Sequence, residues 1–248
     1  MSWKVYNELA WTEKIITCAE DYEDEAMIYI QSIKKHLSVA LPSMLHLGCG
    51  AGGHDFHFKK HFRVTGVDIS PGMLDIAKKT NAEVKYLLGD MRTISLNERF
   101  DTVVIPDSIA YMNTFEDLEK ALANAQRHLK PGGVLLVVAN LKEDFKNNNF
   151  VYTGTKDDIC LTIFENNHIV SESTYEAAII YLIRRGYETS IQHEIHTLGL
   201  FSREQWMSIF SKYHIKVDEA DIDDLYDDYL YGEGDYRLKV FTGVKMDQ

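Results

Sequence analysis

Gly48-Cys49-Gly50-Ala51-Gly52 follows directly on the apolar run Met44-Leu45-His46-Leu47, and Asp68 closes a second apolar run twenty residues after Gly48. A turn this rich in glycine lets the backbone pack against a ligand that a Cβ would exclude, and an acid at the tip of the next strand can hold two ribose hydroxyls. The spacing is that of a βαβ unit and points to a nucleoside cofactor.

Other residues that could do chemistry carry weaker signals. His54, His57 and His61 fall at i, i+3 and i+7, near one face of the helix expected after the glycine turn, and with Asp55 they could hold a divalent ion. The adjacent Lys59 and Lys60 favour a solvated face instead. Cys49 occupies a spacer position of the turn and reads as a small residue, not as an activated thiol. Between Asp218 and Asp235 stand nine acids and no Lys or Arg, interleaved with Leu225, Tyr226, Tyr229, Leu230 and Tyr231. A solvated acidic connection with an apolar face is the preferred reading over a lid that attracts a cationic amine, and the order of acids does not fit a calcium loop.

These residues need elements to position them. Helical periodicity over 5–37, broken near Glu20 and Asp21, predicts two short helices. Apolar runs at 43–48, 63–68, 84–88, 100–106 and 133–139 read as strands separated by helix-length segments, an α/β alternation. Ser70-Pro71 supplies an N-cap and a proline at N1 for a helix through Lys79, and Thr114 to Asp117 looks like a capping box for a helix stopping at Pro131-Gly132-Gly133. Beyond Leu141 the rhythm becomes antiparallel, with strands expected at 159–165, 168–175, 177–184 and 188–197 and turns at Glu165-Asn166-Asn167 and Arg184-Arg185-Gly186. Alternation returns with a helix from Ser202 to about Tyr213 and strands near 214–218 and 236–244.

Composition bounds the rest. The 248 residues, 45% hydrophobic, suffice for one main core with an appended layer. A formal net charge of -12 argues against nucleic acid as a partner. Cys18, Cys49 and Cys160 are odd in number and scattered, which suits a reducing cytoplasm and suggests neither a disulfide framework nor zinc. No apolar stretch approaches a membrane span, and the first residues lack a signal-like apolar region. The oligomeric state, monomer or homodimer, is left open by the sequence.

Leu45 to Gly53, Val64 to Ser70, Gly89-Asp90-Met91, Phe100 to Val104 and Leu129 to Gly133 together resemble, in order and spacing, the class I S-adenosylmethionine-dependent methyltransferases. Tyr6 to Trp11, Asp107 to Met112 and the antiparallel insert look like the small-molecule branch, which includes sugar N-methyltransferases of antibiotic pathways. The resemblance implies a Rossmann-like seven-stranded sheet, last strand antiparallel, with helices on both faces and an inserted antiparallel sheet. It divides the chain into a core of 1–143 and 201–248, with an N-terminal helical lid, and an insert at 144–200 covering the acceptor. It places Gly48, Gly50 and Gly52 against the methionine part and ribose, Asp68 on the ribose hydroxyls, Ile69 and Met91 about the adenine, and Asp90 on its amine. Asp107 and Ser108 would lie beside the sulfonium, and Tyr6, Trp11, Cys49 and Met73 complete the cofactor-binding set. One departure stands out: the family's usual acid two residues before the first glycine is His46 here.

Methyl transfer from a sulfonium is an in-line displacement that chiefly needs alignment and exclusion of water. For an amine or hydroxyl acceptor a base assists, and Tyr111 and His196 are the favoured catalytic residues over Asp107 and Tyr6. The expected activity is therefore methyl transfer to N or O of a small metabolite. Two rival readings are a nicotinamide (NAD) oxidoreductase and a module that binds S-adenosylmethionine without turnover.

Overall fold

In the computed structural model, residues 3–232 and 235–246 are described. Seven strands form the central sheet: β1 (Ser43–Leu47), β2 (Arg63–Asp68), β3 (Lys85–Leu88), β4 (Phe100–Ile105), β5 (Leu129–Ala139), β10 (Ile215–Ile222) and β11 (Leu238–Lys245). Their order is β10-β11-β5-β4-β1-β2-β3, with β11 antiparallel to both neighbours and β1 to β5 parallel. Chain direction across the sheet reverses between β1 and β4, so the crevice at their carboxyl ends is the natural place for a ligand.

The central strands are buried on both faces, which is why they read as nearly unbroken apolar runs. Leu45, Leu47, Val103, Ile105, Leu135 and Val137 pack against α5 (Phe115–His128) and α6 (Arg203–Lys212). Met44, Val104, Leu136 and Val138 face a second cluster that contains residues of α2 (Glu23–Lys34), α3 (Gly53–Phe58) and α4 (Pro71–Thr80). A short helix, α1 (Glu13–Ile16), precedes α2.

Most predicted boundaries fall within a few residues of the observed ones, and the caps explain why. Ser70 accepts from Met73 N at 3.2 Å with Pro71 following, and Ser202 forms a reciprocal capping box with Gln205. Thr114 accepts from Asp117 N at 3.1 Å, but the Asp117 carboxylate turns away to Arg92 at 2.7 Å, so the expected box is only half made.

The antiparallel insert departs from expectation at one end. It has four strands, β6 (Asn148–Lys156), β7 (Ile159–Ile169), β8 (Thr174–Arg185) and β9 (Glu188–Gly199), in that order. Glu165-Asn166-Asn167 is no turn: β7 runs through it, paired with a strand, β6, that the sequence reading missed. Asn166 and Asn167 donate across to Asn149 at 2.8 Å and Asn148 at 3.0 Å, so side-chain pairs, not a bend, account for these polar residues. The Arg184-Arg185-Gly186 turn is present, with Gly186 at φ 57°.

The acidic stretch is not a free lid among the described residues. Asp218 to Asp221 lie in β10, where Glu219 pairs with Arg203 and Asp221 with Lys239, and Tyr231 N donates to Asn149 O of the insert. Glu233 lies outside the described residues. The scattered histidines do not converge: His54 pairs with Glu25, His57 Nε2 donates to Ala19 O at 2.8 Å, and His61 meets Lys34. No group of side chains suited to a metal ion occurs among the described residues. Nor is any described helix long and apolar enough to cross a membrane.

Trp206 on α6 is fully enclosed, stacked on Phe210 and Phe241 with ring centroids 5.9 and 5.3 Å apart. Its indole Nε1 finds no hydrogen-bond partner among the described residues. Trp206→Ala should therefore cost about 3–5 kcal/mol in urea unfolding, and Trp206→Phe much less, because no indole bond is lost.

Candidate active site

The glycine turn begins where β1 runs out. Gly48 N and Cys49 N both donate to Val67 O, at 2.7 and 3.0 Å, and Gly48 at φ 74° brings the chain so close to Ser108 that a Cβ would lie 2.1 Å from its Oγ. Gly50 N then donates to Asp68 Oδ2 at 2.8 Å, and Ser70 N to Asp68 Oδ1 at 2.8 Å. Burial raises the Asp68 pKa, partly offset by these two donors, and its carboxylate still lines a cavity of about 710 Å³.

That cavity fits the cofactor the resemblance implies. Gly48, Cys49 and Gly50 form its floor, and nothing stands within 4 Å of where a Gly50 Cβ would be. Ile69, 59% exposed although apolar, faces into it together with Met73 and Met91, a pair of walls suited to a flat apolar ring. Asp90 lines the same end, its carboxylate held below the usual range chiefly by hydrogen bonds from Arg92. Gly52, at φ 78°, does not line the cavity; it turns the chain into α3 beside Asn81 and Tyr86.

His46 is almost fully buried and its Nδ1 lies 2.7 Å from Asp55 Oδ1. Tyr86 donates to the other Asp55 oxygen at 2.9 Å, and Asn81 bridges Tyr86 and Gly52 O. An acid at 46 would face Asp55 across this contact, so the departure from the family pattern has a local cause: the first helix after the turn already contributes a buried carboxylate.

Tyr6, Asp107, Ser108, Tyr111, Tyr175 and Tyr236 also line the cavity. Tyr111 Oη meets Tyr6 Oη in a short contact and lies 2.8 Å from His196 Nδ1. His196 Nε2 is 3.4 Å from Glu194, whose carboxylate also accepts Lys4 N at 2.6 Å and Val5 N at 2.8 Å. Burial holds the His196 pKa below the usual range, while it raises those of Tyr111 and Tyr6 well above theirs. At neutral pH the chain consists of two phenols and a neutral imidazole.

Two more expected site residues, besides Gly52, sit elsewhere. Trp11 packs on the insert beneath Arg185, 5.7 Å from its ring centroid, because the N-terminal segment turns its Trp11 face to the second sheet and its Tyr6 face to the cavity. His196 touches Tyr111 from behind and does not line the cavity. Glu13, Tyr175 and Glu194 escaped the sequence reading; only Glu194 had a legible signal, since it shares a face with His196 two residues along a strand.

Residues 44–133 match the family model for a methyltransferase domain. The chain is 29% identical over 203 residues, 80% of its length and 79% of the relative's, to a dTDP-3-amino-3,6-dideoxy-alpha-D-glucopyranose N,N-dimethyltransferase of Streptomyces fradiae. It is 27% identical to a dTDP-3-amino-3,4,6-trideoxy-alpha-D-glucopyranose N,N-dimethyltransferase of Streptomyces venezuelae, covering 80% and 85% of the two chains. Among solved structures, DesVI of Streptomyces venezuelae superposes with a TM-score of 0.76 at 24% identity, over 90% of this chain and 92% of that one. An S-adenosylmethionine-bound amino pentose methyltransferase from Micromonospora echinaspora superposes with a TM-score of 0.77 at 21% identity, over 99% and 98%. The fold is that of the class I methyltransferases, and the matched segment is a methyltransferase domain. The chain is an S-adenosylmethionine-dependent methyltransferase with a small-molecule acceptor, and the nicotinamide and turnover-deficient readings find no support.

The His46–Asp55 contact makes a sharp expectation. His46→Asp, which restores the family's usual acid, should destabilise the fold by about 3 kcal/mol through two buried carboxylates in contact, and the double exchange His46→Asp/Asp55→His should recover most of that loss in urea unfolding.

Proposed function

We propose that this enzyme methylates the amino nitrogen of a small acceptor held between the glycine-turn crevice and the 144–200 insert, an amino sugar being the first class to test. The observation that carries the reading is the pairing of an N,N-dimethyltransferase relationship across four-fifths of the chain with an acceptor end built from phenols and carboxylate. Bound S-adenosylmethionine would supply an electrophilic methyl on a sulfonium, already an excellent leaving group. The protein's own share is placement and dryness.

In this reading Asp68 takes the ribose hydroxyls with the carboxylate lone pairs not used by Gly50 and Ser70. Ile69 and Met91 flank the adenine, Asp90 accepts from its amine, and Gly48, Cys49 and Gly50 carry the methionine arm, with Met73 and Ser108 closing the sides. Tyr111 directs the acceptor: its hydroxyl is fixed by Tyr6 on one side and by neutral His196 on the other. A phenol whose pKa burial raises this far is a poor base by itself, so Tyr111 and His196 act by orienting the nucleophile. The insert, through Tyr175, Thr197 and Leu198, and the N-terminal segment, through Trp3 and Tyr6, enclose that end.

Release of S-adenosylhomocysteine should be seen with dTDP-linked amino sugars and not with their hydroxyl counterparts; turnover of the hydroxyl compounds alone would overturn the amine assignment. Calorimetry on Asp68→Ala should show S-adenosylhomocysteine binding weakened by about 3 kcal/mol, on the order of a hundredfold in Kd, for two charge-assisted hydrogen bonds. An unchanged Kd removes Asp68 from the ribose.

A further inference from the structure

Five carboxylates line the cavity, and four are already occupied. Glu13 accepts from Tyr22 at 2.9 Å, Asp68 from Gly50 and Ser70, and Asp90 and Asp117 share Arg92. Asp107 has no side-chain hydrogen bond or ion pair among the described residues, although it stands at the end of β4 with its side chain open to the cavity. Its backbone, at φ 50°, is in a conformation that L residues rarely adopt, and it starts the single turn Ser108–Tyr111 that carries Tyr111.

We infer that Asp107 receives the acceptor's ammonium group and takes one of its protons, making it the catalytic base that the phenol chain is not. This rests on amine methylation as the activity. An amine bound at neutral pH carries no free electron pair, so a proton must leave nitrogen before attack. The first step moves that proton to an Asp107 oxygen. The freed lone pair then forms the new nitrogen–carbon bond as the carbon–sulfur bond breaks, its electron pair going to sulfur and leaving a neutral thioether. The methylated product is again an ammonium ion, and loss of the proton from Asp107 to water resets the site.

The surroundings suit the task. Buried Glu25 on α2 raises the affinity of Asp107 for a proton, and His54 on α3 opposes it; His54 is itself tied to Glu25 at 3.0 Å. Tyr29 and Tyr226 donate to the same Glu25, and Tyr22, Tyr152, Tyr175 and Tyr236 also lie within reach of the Asp107 charge. Burial, chiefly, pushes the Asp107 pKa up to about 7. At that value the group ionises near neutral pH and can both attract a cation and keep its proton, the condition for an effective base.

The test uses Asp107→Asn, which keeps the shape and tolerates a positive φ, and Asp107→Gly, which relieves the backbone and removes the carboxylate outright. Both should bind S-adenosylmethionine and S-adenosylhomocysteine within about threefold of the parent, while kcat/KM for the amine falls by roughly a hundredfold. The parent's kcat/KM should rise with pH through about 7, as Asp107 becomes charged, and that limb should vanish in both variants. Cofactor affinity falling in parallel with amine turnover would overturn the inference and assign Asp107 to the methionine ammonium. An unchanged amine kcat/KM and pH limb would overturn it too. If the parent enzyme methylates hydroxyls and no amine, the functional reading itself fails, a result visible before any Asp107 variant is made.

Discussion

The Asp68 carboxylate gripping the backbone of the glycine turn is the interaction on which the rest of the site stands. One oxygen fixes Gly50 where β1 ends, the other fixes Ser70 where α4 begins, so two strand-to-helix turns are locked to each other at the sheet's crevice. Ser70 then hands the connection on, its hydroxyl bonding to the Tyr6 carbonyl. From Tyr6 the bonds continue through Tyr111 and His196 to Glu194, and from Glu194 to the backbone of Lys4 and Val5. A belt of polar contacts thereby encircles the cavity and joins core, N-terminal segment and insert.

Burying polar groups is costly unless they are answered, and the protein answers many of those around the site in small sets. His46, Asp55, Tyr86 and Asn81 form one set behind the glycine turn, and Glu25, His54, Tyr29 and Tyr226 another beside it. Asp107 stands apart from both sets. A carboxylate that faces the cavity without a side-chain partner among the described residues marks where the fold yields stability to chemistry.

What the sequence made legible was whatever local rules write down. The βαβ spacing of Gly48 and Asp68, the caps at Ser70 and Ser202 and the apolar runs of β1 to β5 follow from periodicity and turn chemistry, and each sits where those rules put it. The failures lie where partners are remote. Asn166 and Asn167 look like turn residues until β6 supplies Asn148 and Asn149 across the sheet. Trp11 shares a segment with Tyr6, yet a bend of the short N-terminal turns gives the two rings to different surfaces. The pairing of His46 with Asp55 and the isolation of Asp107 are properties of the folded interior, invisible to any spacing rule.

The clasp made by Glu194 binds positions some 190 residues apart in the chain, and the same carboxylate steadies His196. Its proton affinity stays low despite burial because the two backbone donors and the imidazole favour the ionised form. Lifting the first residues away to admit or release a ligand must therefore strip donors from the very group that orients the histidine. Entry to the cavity and alignment of its phenols are governed by one latch, so an open enzyme is also a disarmed one.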